Sequence, residues 1–160
     1  MSRQKKQSAG LLLYRRVATG VEILLVHPGG PYWARKDEGA WSIPKGEFSD
    51  DEDPFAAAIR ECEEELGQRP AFEELEPLEP VKLTSGKRLF AWAGRGDFDP
   101  AGLKSNLFSM EWPPGSGRQQ QFPEVDRAGW FDLETARRKL TSGQLPLVDQ
   151  LQERLGTRKR

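Results

Sequence analysis

The chain predicts an α+β fold, a sandwich built around a mixed β-sheet. Three observations carry that prediction. Short runs rich in Leu, Val, Ile and aromatic residues recur along most of the sequence, separated by Gly- and Pro-rich punctuation. One well-delimited helix interrupts them early, between Pro54 and Leu66, and two further amphipathic stretches close the chain. Strands, one helix, more strands and then terminal helices is an α+β order. The 160 residues are enough for one domain with a hydrophobic core, 1–160, and no internal repeat points to a second. The polar start, 1–8, and the GTRKR end, 156–160, are expected to be disordered tails.

The elements follow in order. Ala9–Arg16 and Val21–His27 are dense in Leu, Val and Ile, and Ala18, Thr19 and Gly20 between them have turn character, so a hairpin is expected. Pro28–Gly39 (PGGPYWARKDEG) is a loop of Gly, Pro and charge whose Tyr32 and Trp33 are candidates to face a ligand. Trp41–Pro44 reads as a short strand closed by proline. For the helix, Asp53 suits the N-cap, Pro54 the first helical position and Gly67 the residue just past the end. Phe55, Ala58, Ile59, Cys62 and Leu66 fall at helical spacings and form its expected buried stripe. Phe72–Leu83 and Lys87–Ala93 look extended, the second alternating Leu89, Ala91 and Ala93 against Phe90 and Trp92. Leu107–Trp112 and Gly129–Phe131 are short strands, with the loop PPGSGRQQQFPEVDRA between them. Leu133–Leu140 and Leu145–Leu155 are closing helices split by Thr141, Ser142 and Gly143.

Composition excludes several functions. With 36% hydrophobic and 31% charged residues and a formal net charge of −1, the chain has no general nucleic-acid or membrane-surface character. No apolar run approaches the roughly 20 residues of a spanning helix, and the three leucines after the basic start are too short a run for a signal peptide. A cytoplasmic address is expected. Cys62 is the single cysteine, so no internal disulfide can form, and no Cys/His cluster offers a zinc site. Its place on the apolar stripe makes Cys62 a core residue. His27, the single histidine, sits at a strand end and reads as structural.

The chemistry concentrates in Gly46–Gly67, GEFSDDEDPFAAAIRECEEELG. Glu61, Glu64 and Glu65 stand at i, i+3 and i+4, so one helix face presents all three carboxylates. Such a face repels itself unless cations neutralise it, which points to a divalent-metal site. Gly46, Glu52, Arg60, Glu61, Glu64, Glu65 and Gly67 together fill every fixed position of a signature: Gly, five residues, Glu, seven residues, Arg-Glu, an aliphatic, any residue, Glu-Glu, any residue, Gly, an aliphatic. That pattern resembles the signature of the Nudix hydrolase superfamily. Cys62 stands where an aliphatic is usual and Gln68 where another is expected, both mild departures. The chain also resembles a bacterial branch named as nucleoside triphosphate pyrophosphohydrolases.

The resemblance implies an α/β/α sandwich with a mixed central sheet and a loop-helix-loop box. It also implies hydrolysis of a diphosphate linkage in a nucleoside diphosphate derivative, with Mg²⁺ or Mn²⁺ as cofactor. A nucleoside triphosphate is the leading substrate; a dinucleoside polyphosphate hydrolase and a non-catalytic nucleotide-binding module are the alternatives. Glu61, Glu64 and Glu65 would hold the ions, with a backbone carbonyl oxygen from Lys45. Arg60 would orient a neighbouring carboxylate through a charge-assisted hydrogen bond, paired with Glu52. Glu124, six residues before Trp130, is the candidate for an added ligand or general base, with Glu111 in reserve. Lys45, Trp33, Tyr32 and Arg35 are candidates for substrate contact, while Gly46, Glu52 and Gly67 shape the motif. A small-molecule nucleotide is therefore the expected partner, with no nucleic acid and no membrane. Exposed strand edges admit a homodimer. No tyrosine follows Tyr32, which weakens a diadenosine polyphosphate assignment.

Overall fold

The computed structural model describes residues 7–156. The tails expected at 1–6 and 157–160 lie outside those residues. Gln7 and Ser8 correct the predicted N-terminal tail: both belong to the first strand, where Ser8 is buried and pairs with Glu47 and Leu89. Gly156 likewise sits in a turn, donating to the Glu153 carbonyl.

In chain order the elements are β1 (Gln7–Val17), β2 (Gly20–Pro28), β3 (Lys45–Phe48), α1 (Pro54–Leu66), β4 (Ala71–Phe72), β5 (Glu76–Pro77), β6 (Val81–Lys82), β7 (Arg88–Asp97), β8 (Leu107–Glu111), β9 (Gln119–Pro123), β10 (Val125–Asp132), α2 (Leu133–Lys139) and α3 (Leu145–Arg154). The main sheet runs β10-β2-β1-β7-β4, with β3 also on β1 and the short β5 and β6 also on β7. β1 and β7 are parallel and the remaining pairs antiparallel, so the sheet is mixed as predicted.

Both faces of this sheet are buried, which is why β1 and β2 read as continuous apolar runs. Ala9, Leu11, Leu13, Leu24 and Val26 point to one side and pack on Ala57, Ala58, Cys62 and Leu66 of α1. Leu12, Ile23, Leu25, Leu89, Ala91 and Ala93 point to the other and meet Ala136, Leu140, Leu147, Val148 and Leu151 of the terminal helices. The layers are helix, sheet, helix.

Four local expectations are corrected. The strand expected at Trp41–Pro44 is only a pair of bridges, Val26 to Ser42 and Trp41 to Leu140; the ladder begins at Lys45, just past the proline that cannot donate to it. Phe55 is 38% exposed and leans on Trp92, Ile59 is half-buried, and Ala57 joins the stripe in their place. Phe72–Leu83 breaks into three short strands on β7 rather than one extended piece. Gln119–Pro123, read as loop, pairs with β8 in a separate two-stranded ribbon.

One irregularity positions the cleft. β1 divides the same edge between two partners: Gln7–Gly10 pair with β3, and Tyr14–Val17 pair with β2. The two partners diverge past that division, and the end of β2 meets only Ser42 across the gap.

Candidate active site

The carboxylate-bearing helix α1 starts and stops where its local chemistry says it must. The Asp53 side chain accepts the Ala56 N–H at 3.0 Å, satisfying one of the free amides of the first turn, and Pro54 follows at the first helical position. Gly67 ends it with φ of 84°, its N–H donating to the Glu63 carbonyl at 2.7 Å. A Cβ on Gly67 would lie 2.1 Å from the Lys104 carbonyl oxygen, so both the backbone angle and the space demand glycine.

Burial of Ala57, Ala58, Cys62 and Leu66 turns the adjoining acidic stripe toward β3. There Gly46 allows a close approach: a Cβ on it would stand 1.8 Å from Glu61 Oε1. Gly46 and Glu61, two fixed positions of the signature, are therefore in contact. Arg60 ties the remainder together. Its Nε and Nη2 donate to the two carboxylate oxygens of Glu52 at 2.7 and 2.8 Å, and Nη1 donates to Glu61 at 2.7 Å and to Glu64 at 3.2 Å. The bidentate fork on Glu52 holds that carboxyl below its ordinary range and pushes the guanidinium further up.

The carboxylates differ in depth. Glu64 is 45% exposed at its side chain. Glu61 is more enclosed, and burial raises its pKa against the opposing pull of Arg60. Glu65 accepts the Lys45 N–H at 3.1 Å. Part of its side chain still touches solvent, yet burial, helped by the charges of Glu61 and Glu124, pushes the carboxyl up to about 8. Cys62 lies between them in sequence but inside the core, and burial pushes its thiol up, out of reach of thiolate chemistry.

A cleft of about 270 Å³ opens beside this face, lined by Val26, Pro28, Trp33, Ser42, Lys45, Glu65, Glu124 and Gln144 among others. The fold thus brings together Glu61, Glu65, Lys45, Trp33 and Glu124 from α1, β3, the 29–39 loop and the start of β10. Three expectations fall elsewhere. Tyr32 is 58% exposed and sits edge-on to Trp112 with ring centroids 5.2 Å apart, outside the cleft wall. Arg35 is exposed and does not line the cleft. Glu111 accepts the Gly117 N–H at 2.6 Å in the β8–β9 turn, so the reserve position is spent on that turn.

Sequence reasoning missed the floor of the cleft. Gln144 is fully buried, with its Oε1 accepting the Ile43 N–H at 3.0 Å and its Nε2 donating to Ser42 Oγ at 2.9 Å. Thr141 donates its N–H to the Trp41 carbonyl at 2.9 Å. Gln144 and Ser42 are 102 residues apart, and no spacing rule couples positions so distant.

The donor set fits a hard divalent cation. Glu61, Glu64, Glu65 and Glu124 supply carboxylate oxygens, Arg60 and Lys45 are the cations among them, and burial with mutual repulsion holds Glu61 and Glu65 up. Among the described residues no three carboxylates meet at one point as placed. Arg60 stands between Glu61 and Glu64, and Glu65 is turned to the Lys45 amide.

Comparison with known proteins identifies the family. The family model of the NUDIX domain matches residues 4–151. The RNA pyrophosphohydrolase of Rhodospirillum rubrum is 30% identical over 162 residues, taking in 94% of this chain and 92% of that protein. The asymmetrical bis(5'-nucleosyl)-tetraphosphatase of Caenorhabditis elegans is 39% identical over 59 residues, 37% of this chain and 38% of that one. Among solved structures, an Ap4A hydrolase of C. elegans in a binary complex has a TM-score of 0.65 at 22% identity, covering 94% of this chain and 99% of its own. The NUDIX domain of Shewanella oneidensis NrtR, complexed with ADP ribose, has a TM-score of 0.63 at 19% identity, covering 97% and 90%. At those identities the two structures share the fold.

Proposed function

This chain belongs to the NUDIX domain family and is a Nudix hydrolase, and from that premise we propose that it is a Mg²⁺- or Mn²⁺-dependent pyrophosphohydrolase of a nucleoside 5′-polyphosphate, with a nucleoside triphosphate as first substrate. The observation that supports this reading is the meeting of Glu61, Glu65, Lys45 and Glu124 at a cleft with Trp33 on its wall. About 270 Å³ is the lower end of ligand-site volumes and suits one nucleoside.

Each residue has a separate task. Glu61, Glu64 and Glu65, with the Lys45 carbonyl, would hold the cation, which when bound supplies charge neutralisation at the diphosphate and acidifies a coordinated water. Arg60 keeps Glu61 and Glu64 oriented while being held itself by Glu52. The Lys45 side chain offers positive charge to the phosphates. Glu124, exposed and lining the cleft with Glu65, accepts the proton of the attacking water as the water oxygen bonds to phosphorus and the anhydride P–O bond breaks. Trp33, 41% exposed, offers a face to the base.

A dinucleoside polyphosphate is the second reading. The cleft holds one nucleoside, so the other would lie outside it, and the tetraphosphatase likeness covers the box region that performs the chemistry. The name of the R. rubrum relative keeps a triphosphorylated RNA end under test, against the weak overall charge.

The deciding experiment is a substrate panel with Mg²⁺ and with Mn²⁺: nucleoside triphosphates, Ap4A, ADP-ribose and a 5′-triphosphorylated oligoribonucleotide, products identified by mass. Triphosphate turnover that Glu124→Gln lowers about 100-fold and Glu111→Gln leaves unchanged is the expected result. Tight nucleotide binding with no turnover of any substrate would make the chain a binding module instead.

A further inference from the structure

The single histidine of the sequence lies outside the carboxylate site, and nothing in the hydrolytic reading uses it. His27 is near the end of β2 with its side chain fully buried, edge-on to Trp41. Its Nε2 lies 2.6 Å from the Lys36 carbonyl oxygen and its Nδ1 2.8 Å from Asp126 Oδ1. A carbonyl oxygen only accepts, so Nε2 carries a proton. The Asp126 carboxyl is partly exposed and has the Arg127 guanidinium 3.6 Å away. At 2.8 Å one proton lies between Nδ1 and the carboxyl oxygen, so the ring is hydrogen-bonded at both nitrogens.

These two bonds join two parts of the cleft. The Lys36 carbonyl belongs to the 29–39 loop that carries Trp33, and residues 32–39 of that loop are exposed. Asp126 belongs to β10 at a register slip: Val125 pairs with Pro28 and Arg127 with His27, leaving Asp126 as the extra residue. A bulge of this kind re-aims a side chain, and here it turns a carboxylate inward on the imidazole. Glu124 immediately precedes the bulged strand, and its carbonyl accepts the Gly29 N–H at 2.9 Å. Loop and strand are thus pinned to each other at Gly29 directly and at Lys36 through the ring.

We propose that His27 is a positioning residue of the hydrolytic site: its ring, hydrogen-bonded at both nitrogens, clamps the Trp33 loop to the β10 bulge beside Glu124. Asp126, the Lys36 carbonyl and Trp41 touch the ring; behind them, Arg127 stands 3.6 Å from Asp126, Asp37 accepts the Trp41 indole N–H, and Lys139 of α2 stands 6.0 Å over Trp41. The proposal rests on the cleft being the substrate site. It makes a distinction that bulk packing would not. Asparagine at 126 can donate to Nδ1 of a neutral ring while Nε2 still donates to Lys36, so both bonds survive; alanine removes one.

The test compares His27→Gln, Asp126→Ala and Asp126→Asn in steady-state kinetics on the best substrate of the panel. It adds the imidazole ¹⁵N signals of the lone histidine and hydrogen exchange over 30–38, both on nucleotide-free protein. Asp126 is partly exposed, so its variants separate clamping from folding. KM should rise about tenfold in His27→Gln and Asp126→Ala with kcat changing less, and Asp126→Asn should stay within about threefold of wild type. The Nδ1 signal should move in Asp126→Ala, and exchange over 30–38 should accelerate in the same variant. An unchanged KM in Asp126→Ala, equal impairment in Asp126→Asn, or an Nδ1 signal that Asp126→Ala leaves unmoved overturns the proposal. A wild type that hydrolyses nothing overturns the hydrolytic reading alone, because the nitrogen signals and loop exchange decide the clamp without turnover.

Discussion

Replacing Glu65 by glutamine should make the cation-free protein more stable in alkaline solution while removing its turnover. The carboxyl has a folded-state pKa of about 8 against an ordinary value of 4.5, with burial as the largest cause. Its folded pKa is therefore raised, so the fold holds a proton that the unfolded chain releases. The stability belonging to that proton is whole below about pH 4.5 and is lost as pH rises through 8. Above that, the fold carries an ionised carboxylate in a poorly solvated place. At 1.36 kcal/mol per pKa unit the ceiling on this penalty is roughly 5 kcal/mol, and solvent reaching part of the side chain brings the expected effect to about 2 kcal/mol. Glutamine keeps the shape and the acceptor for the Lys45 N–H but never ionises. Urea denaturation in EDTA should give matching stabilities for wild type and Glu65→Gln at pH 4, and a mutant about 2 kcal/mol more stable at pH 9. In saturating Mg²⁺ the same mutant should lose about 100- to 1000-fold in kcat. Parallel stability curves across pH, or a mutant less stable at pH 9, would refute the argument that this carboxylate is held at a cost for chemistry.

Other perturbations test the geometry around it. Gly46→Ala places a methyl against Glu61 Oε1 and should lower kcat about 100-fold while circular dichroism shows the fold retained. Arg60→Lys replaces a fork that touches Glu52, Glu61 and Glu64 by one point charge; kcat should fall roughly 10- to 100-fold, and a change of less than twofold would remove Arg60 from its orienting role. Gly67→Ala combines a φ of 84° with the clash on Lys104, so thermal unfolding should show a loss of about 2 kcal/mol or more with residual activity per folded molecule unchanged.

Much of this molecule is legible in the sequence because its signals are local. Asp53, Pro54 and Gly67 delimit α1 through hydrogen bonds and backbone angles within a turn of each residue, and the spacing of Glu61, Glu64 and Glu65 follows from helix geometry alone. Leu11, Leu12 and Leu13 announce a strand buried on both faces, and the alternation around Phe90 and Trp92 announces another. Arg60 and Glu52 find each other across eight residues because the helix cap sets the geometry between them. The failures occur where neighbours decide. Gln119–Pro123 has a polar, Pro-flanked sequence and becomes a strand only because β8 lies beside it. Phe55 has the right spacing for the core but stands in the first turn of the helix, where it leans on Trp92 and stays 38% exposed.

What the sequence by itself determined was the class of fold, the one helix that bears the carboxylates, and the kind of bond those carboxylates could act on. Only the tertiary structure decided which residues line the cleft. Glu124 faces the cleft and Glu111 does not; Tyr32 turns to Trp112 while Trp33 turns to the cleft; and Ser42, Thr141 and Gln144 form the floor. The physical reason is the split edge of β1. β2 and β3 part after sharing it, and the gap is closed by side chains from the C-terminal helices and the β10 bulge, a hundred residues away. Local chemistry writes each element into its own residues, whereas the depth of Glu65 and the walls around it depend on which elements meet.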